Sequence, residues 1–254
     1  MDINTINKAE LDKILDEADV IALAKNKYPK VLHRKRDDSI IKIFRSFGSD
    51  KIKLHHLYKK SESRYKRNAQ RFIYNAMHLA TLNIETVKIK AFYLCHNPKL
   101  AMVIYDTLPG ESVGSYLSKD DNIVKPFALF IANLHNKNVY FRAGHEKNYL
   151  YEKEQFKLID IDNLRFKISF KQRAKNLAYL FYHAQQRQNL FSKTQVQLFL
   201  KTYFAATQYS SKQRKRFIQH LCRAIEYRRR KDLANSNQIT DNLTYICADM
   251  LFLT

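Results

Sequence analysis

The sequence predicts an α+β protein in two lobes, a small β-rich lobe built around one main helix and a second lobe that is mostly helical. Three observations carry this expectation. Up to about residue 108, stretches with apolar residues at period 2 alternate with stretches at helical spacing, whereas beyond Leu108-Pro-Gly-Glu111 the helical period holds almost throughout. Only four Gly and four Pro stand in 254 residues, too few for a barrel or sandwich that would turn every ten residues or so. A chain of this length with 45% hydrophobic residues, 16 Tyr and 16 Phe can bury a substantial core, which excludes a disordered polybasic tail.

The elements follow in chain order. Over 5–24, Ile6, Leu11, Ile14, Leu15, Ala18 and Ile21 recur at helical spacing and predict an amphipathic helix, which fills a leading segment, 1–27. Residues 30–34, the polar turn Lys35-Arg-Asp-Asp38 and Ser39-Ile-Ile-Lys-Ile-Phe-Arg45 then read as a β-hairpin with Lys42 inside its second strand. A helix over 63–82 carries the stripe Phe72, Ala76, Leu79 and Leu82, and strands over 87–94 and 100–108 flank His96-Asn-Pro98. These complete a first lobe, 28–110.

In the second lobe, 111–231, core helices are expected over 123–136, with Phe127, Ile131 and Leu134 inward, and over 170–188, with Leu177, Leu180 and Phe181 inward. Between them lie a polar loop, 139–150, and a short apolar strand, Phe156-Lys-Leu-Ile159, that delivers Asp160 at its end. A basic helix covers 210–231, and a tail over 232–254 begins as a polar linker, 232–241, before a short apolar end.

Forty-five Lys and Arg against 24 Asp and Glu give +21, a field that favours anionic partners: nucleic acid, an acidic membrane face, phosphorylated sugars, nucleotides. Cys95, Cys222 and Cys247 are odd in number and far apart, without metal-ligand spacing, and fit a reduced compartment. No apolar run reaches the length of a membrane span, and the N-terminal stretch is acidic where a signal peptide would be basic, so a cytoplasmic location is expected.

Several pieces together resemble the lipopolysaccharide kinases, the group of the 3-deoxy-D-manno-octulosonic acid and heptose kinases. They are Lys42 in Ile40-Ile-Lys-Ile-Phe-Arg45, Leu82-Asn-Ile-Glu-Thr-Val87, Leu108-Pro-Gly-Glu-Ser-Val-Gly-Ser-Tyr-Leu117, and the stretch from Leu134-His135 to Arg165-Phe166. Phe141-Arg-Ala-Gly-His-Glu-Lys-Asn148 looks most like the toluene-tolerance branch of that superfamily. The resemblance implies a two-lobed protein-kinase-like fold, ATP and Mg²⁺ as cofactors, and a sugar hydroxyl of the lipopolysaccharide core as acceptor. It implies that Lys42 holds the α- and β-phosphates, and that Asp160 and Asn148 take the places of the two metal-binding residues. Such oxygen donors suit a hard cation, and phosphoryl transfer asks mainly for alignment and charge neutralisation. Taken singly, each residue also has an ordinary reading: a solvated strand lysine, a turn-capping aspartate, a loop asparagine bonded to its own backbone.

The departures from the pattern bear on chemistry. Ala143 stands where the family has the aspartate that orients the acceptor hydroxyl and takes its proton, and Phe141 replaces a histidine, while Arg142, His145 and Asn148 keep their places. Either the chain is a pseudokinase with a binding or regulatory role in envelope maintenance, or another group substitutes. His145, Glu146 and Asp162 are the candidates, and a neutral imidazole at His145 would suit proton abstraction near pH 7. A general base contributes about a hundred- to ten-thousandfold, so its loss need not abolish transfer. No glycine lies between Tyr28 and Phe44, and the helix over 63–82 holds no acid to pair with Lys42; Glu62 precedes it, and the amide of Asn75 or Asn68 could serve as a poorer partner.

The basic helix has three readings. Its cations could be a solvated face around the stripe Phe217, Ile218, Leu221, Ala224 and Ile225. They could dock an anionic glycolipid such as the lipopolysaccharide core, placing the protein peripherally on the cytoplasmic face of the inner membrane. Nucleic acid ranks third, because no RNP motif, zinc-finger spacing or helix-turn-helix accompanies the charge.

Overall fold

A computed structural model describes residues 4–23, 29–45, 64–142, 144–188 and 191–234, and the chain divides into two compact units, Met1–Leu108 and Pro109–Thr254. The fold is α+β, with a β-rich first unit and a helical second one. The break falls where Leu108-Pro-Gly-Glu111 interrupts the pattern. Gly110 has φ +119, a left-handed conformation that a residue with a Cβ rarely adopts.

The first unit contains β1 (Asn4–Ile6), α1 (Lys8–Asp16), β2 (Asp19–Leu23), β3 (Pro29–Arg34), β4 (Ser39–Arg45), α2 (Arg64–Thr81), the short β5 (Glu85–Thr86), β6 (Ile89–Cys95) and β7 (Leu100–Asp106). Six strands form one sheet in the order β1-β6-β7-β4-β3-β2. It is antiparallel except where β1 joins β6 in parallel. The strand β4 lies near the centre, with Lys42 opposite Val31 on one side and Val103 on the other. Alternation along β4 sends Ile41 and Ile43 into a cluster with Leu11 of α1, Leu32, Leu100, Met102 and Ile104. It sends Lys42 and Phe44 to the opposite face, where the Phe44 ring lies 6.0 Å from Phe72 of α2.

The helix expected over 5–24 is a correction. Among the described residues of that span only Lys8–Asp16 is helical, started by a capping box between Asn7 and Glu10. The flanking residues become strands that extend the sheet at both edges. The run Asp19-Val-Ile-Ala-Leu23 fits either period, and pairing to β3 decides it; Val20, Ile21 and Leu23 stay more than half or about half exposed.

The hairpin expected over 30–45 is present as β3 and β4. Its turn is braced by charge rather than freed by glycine. Asp37 accepts from Arg34 Nε at 2.9 Å, Arg34 Nη2 at 2.7 Å and Ser39 Oγ at 2.8 Å, while Asp38, at φ 45, pairs with His33 at 2.7 Å.

The second unit contains β8 (Glu111–Ser112), α3 (Val113–Leu117), α4 (Val124–Asn136), β9 (Tyr140–Phe141), β10 (Tyr149–Glu152), β11 (Gln155–Leu158), β12 (Leu164–Arg165), α5 (Phe170–Gln188), α6 (Lys193–Thr207) and α7 (Ser211–Ala234). Packing pairs α4 with α6 and α5 with α7. Their shared core is aromatic: Phe199 lies 5.8 Å from Phe127 and 5.2 Å from Phe181, and Tyr203 lies 5.5 Å from Phe217. Ser192 and Gln195 cap α6 reciprocally.

The basic helix extends past the expected linker start to Ala234, because Asp232 accepts a 2.7 Å hydrogen bond from the Tyr182 hydroxyl of α5. Residues 235–254, with Cys247, lie outside the described residues. Cys95 is buried, Cys222 is partly so, and both are free thiols. No described helix is long and apolar enough to cross a membrane.

Candidate functional site

Two ladders of the second unit pin the loop and the strand end that the sequence singled out. Residue 142 follows β9, residues 144–148 lead into β10, and residues 159–163 leave β11 and enter β12. Since β9 pairs with β12 (Phe141 opposite Leu164) and β10 with β11 (Tyr149 opposite Leu158), both excursions are held at both ends. The amide of Ile159 donates to the carbonyl of Asn148 at 3.0 Å, so Asn148 and Asp160 stand at one end of the β10–β11 hairpin. Asp160 is at φ 55, ψ 43, a left-handed conformation uncommon for a residue with a side chain and enriched at functional positions. Asn148 is 5% exposed and Asp160 half-buried. An amide oxygen and a carboxylate are hard donors, and this pair fits a Mg²⁺ ion in chemistry.

The hairpin itself is braced from behind. Lys157, 4% exposed, donates to Glu152 Oε2 at 2.9 Å and to the Pro109 carbonyl at 3.2 Å. Its charge is therefore spent within the second unit.

A buried polar chain fixes the start of the loop. His135 of α4 bridges Tyr203 Oη of α6 at 2.7 Å and Asn176 Oδ1 of α5 at 3.0 Å, and Asn176 Nδ2 donates to the Phe141 carbonyl at 2.8 Å. Burial, reinforced by the charge of Arg173 and opposed by the Asn176 hydrogen bond, pushes the His135 pKa down to about 4. The same Phe141 carbonyl accepts from Gly144 N at 2.9 Å.

The loop then passes over α5. His145 stacks on His183 with ring centroids 4.5 Å apart and planes 17° apart, and Glu146 Oε2 lies 3.0 Å from His183 Nδ1. Glu146 is 1% exposed. Burial works against its charge, but the His183 hydrogen bond, a backbone hydrogen bond and the two imidazoles together hold its pKa below the ordinary carboxylate value. The ligating atoms of His145, Glu146 and His183 lie within 4.8 Å of one another. The stacked rings direct their in-plane lone pairs along nearly parallel planes, so the trio reads as a brace for the loop rather than as a convergent metal centre.

The sequence-derived residues thus separate. Asn148 and Asp160 come together, and Asp162 lies in the same excursion as Asp160, half-buried in a 3₁₀ turn. His145 is half-buried against His183, while Glu146 is committed to that histidine and is the least available of the three candidate bases. Arg142 points elsewhere and lines a basic cavity with α5 and α7. Ala143 lies outside the described residues. In the first unit, Lys42 is 3% exposed, with Nζ 4.9 Å from the Phe72 ring and 5.8 Å from the Phe44 ring, a cation–π setting. On α2, Asn75 is buried and Asn68 partly so, while Glu62 lies outside the described residues.

His183 and Asn176 carried no mark in the sequence; they act on the loop from 37 and 35 residues away. Both sit on the predicted core helix of 170–188, where only polar residues at inward positions could have marked them.

No protein-family model matches the chain, and no curated protein matches it. Among solved structures, an apo pseudokinase aligns over 88% of this chain and 96% of its own at 10% identity, with a TM-score of 0.44. The PK-1 kinase of Cydia pomonella granulovirus aligns over 62% of this chain and 56% of its own at 14% identity, with a TM-score of 0.38.

Proposed function

We propose that the chain is a kinase-like protein that takes ATP with Mg²⁺ and transfers phosphate to a sugar hydroxyl of the lipopolysaccharide inner core. One observation carries the nucleotide half of this reading: the paired ladders and the Ile159–Asn148 hydrogen bond set Asn148 and a left-handed Asp160 at the same end of one hairpin. When bound there, the ion would neutralise phosphate charge and align the transferring group. The chain's own part is to hold the two oxygen donors still, which the buried His135–Asn176–Phe141 chain and the Glu146–His183 pair do from beneath the loop. The acceptor half rests on the family resemblance of the sequence and on the +21 charge, which suits an anionic glycolipid at a membrane face. His145 and Asp162 are the groups left to take the acceptor proton.

A second reading, a pseudokinase that binds nucleotide without transfer, is favoured by Ala143 at the position of the loop aspartate together with the commitment of Glu146 to His183.

Calorimetry of ATP binding with and without Mg²⁺, on the natural chain and on Asp160→Ala, tests the shared element. Binding that needs Mg²⁺ and disappears in Asp160→Ala is expected. Absence of ATP binding in both conditions would remove both readings, and Mg²⁺-dependent binding without phosphate transfer to core oligosaccharide would select the second.

A further inference from the structure

A cavity of about 460 Å³ opens in the second unit where the start of the loop meets α5 and α7, on the Arg142 side. The volume lies within the range of about 300–1,000 Å³ typical of small-molecule sites. From the loop side it is lined by Tyr140 and Arg142, from α5 by Lys171 and Lys175 one turn apart, and from α7 by His220, Arg223, Tyr227 and Arg228. No acid lines it. The helices explain why: α5 carries four Lys and Arg and no acid, and α7 carries nine and only Glu226 and Asp232. Neither acid lines the cavity: Glu226 engages Arg230 at 2.8 Å and Arg229 at 3.8 Å, and Asp232 accepts from the Tyr182 hydroxyl at 2.7 Å while its charge partly offsets that of Arg228.

Among the described residues, none of Arg142, Lys171, Lys175, Arg223 and Arg228 has a carboxylate within ion-pair distance. Five like charges around one concavity repel one another, and four of them, Arg142, Lys171, Lys175 and Arg223, keep exposed side chains. Arg228 is the most enclosed of them: its guanidinium lies 4.1 Å from the Tyr179 ring centre, which holds it at the cavity wall. The local field registers on neighbouring groups as well. His220 is held below the ordinary imidazole pKa by burial and then by the charges of Arg216, Lys171 and Arg223.

We infer that this cavity is a binding site for a compact molecule bearing two or three phosphate groups. The charge sets the number: a phosphate monoester carries about −1.5 to −2 at pH 7, so two or three of them balance the five cations, and a single phosphate does not. Lysine and arginine suit phosphate oxygens as point charge and fork respectively. The rings of Tyr140 and Tyr227, both at the cavity wall, supply flat surface for a sugar or base between the phosphates. The site uses neither Asp160 nor Asn148, and it stands whether or not the loop transfers phosphate. A soluble metabolite and a phosphorylated headgroup share this chemistry.

Inorganic tripolyphosphate and inositol trisphosphate, titrated by calorimetry into the full chain, test it. Both are expected to bind, and the double variant Lys175→Gln/Arg223→Gln, which changes two exposed side chains, is expected to weaken binding at least tenfold. Lys212→Gln/Lys215→Gln, which removes the same charge from α7 outside the cavity, and Asp160→Ala should each change it less than twofold. Equal weakening by the two charge-removing pairs would reduce the effect to net charge and overturn the site. Weakening by Asp160→Ala alone would assign the probes to the loop and overturn it too. Sedimentation with vesicles carrying phosphatidylinositol 4,5-bisphosphate separates the sources: binding of the soluble probes with retention of vesicle binding in Lys175→Gln/Arg223→Gln supports a soluble ligand in the cavity, loss of both supports a phosphorylated headgroup, and vesicle binding with no binding of either soluble probe overturns the proposal.

Discussion

Gly144 shows how tightly single residues fix the loop. Its backbone angles demand nothing of glycine, but a Cβ built there would collide with the Tyr149 hydroxyl and press on the Phe141 carbonyl at 3.0 Å and Asn176 Nδ2 at 3.2 Å. Gly144→Ala is therefore expected to cost about 1–3 kcal/mol, the usual range for overpacking. The Tyr149 hydroxyl is itself unusual: it is fully buried, has no hydrogen-bond partner among the described residues, and burial drives its pKa well up. Removing an unsatisfied buried hydroxyl relieves a desolvation penalty, so Tyr149→Phe alone should be neutral or stabilising and should recover part of the Gly144→Ala loss. Urea unfolding of the two single variants and the double variant reads both effects; a Tyr149→Phe loss above about 1 kcal/mol would show that the hydroxyl has a partner after all. Glycine at this position was visible in the sequence, but its reason was not. The hydroxyl that needs the space belongs to the strand across the loop.

Three helices meet the loop through one histidine, and that junction gives stability a defined pH dependence. His135 on α4 joins Tyr203 on α6 to Asn176 on α5, which in turn holds the Phe141 carbonyl. In the folded chain its pKa is about 4, against an ordinary 6.5. Between those values the unfolded chain binds the extra proton and the folded one does not. Stability is thus fully present above pH 6.5 and is lost as pH falls toward 4, by about 3 kcal/mol in total. Denaturant unfolding followed across this window should show the slope, and His135→Gln should start lower and lose it; equal slopes would assign the pH dependence to other groups. At this scale the sequence was legible wherever one period dominated, as in the hairpin of β3 and β4 and the helices α2, α4 and α5. It misled over 5–24, where an apolar run fits helix and strand alike and only pairing at the sheet edge decides. Contacts such as Glu146–His183 and His135–Tyr203 join residues 37 and 68 apart, and local pattern holds no record of them.

For the molecule as a whole, the charge legible from composition turns out to be arranged rather than spread. A net +21 disfavours compactness everywhere through self-repulsion, yet α5 and α7 add to that cost locally by turning four cations around one cavity that Arg142 of the loop also lines. Simple salt screens both terms. Raising ionic strength from about 0.01 M to about 0.1 M shortens the Debye length from about 30 Å to about 10 Å, and Tm should rise with it, by about 2–4 °C for each kcal/mol of repulsion relieved. A polyphosphate bound in the cavity adds a separate stabilisation, because that cavity exists only in the folded chain. At matched ionic strength, tripolyphosphate should therefore raise Tm above the value in sodium chloride, and Lys175→Gln/Arg223→Gln should abolish that excess while keeping the rise with simple salt. A Tm that is flat in sodium chloride would mean that the distributed charge costs the fold little. If the excess persists in the double variant, the polyanion acts on the surface at large, and the concentration of charge around the cavity is a by-product of packing two basic helices side by side.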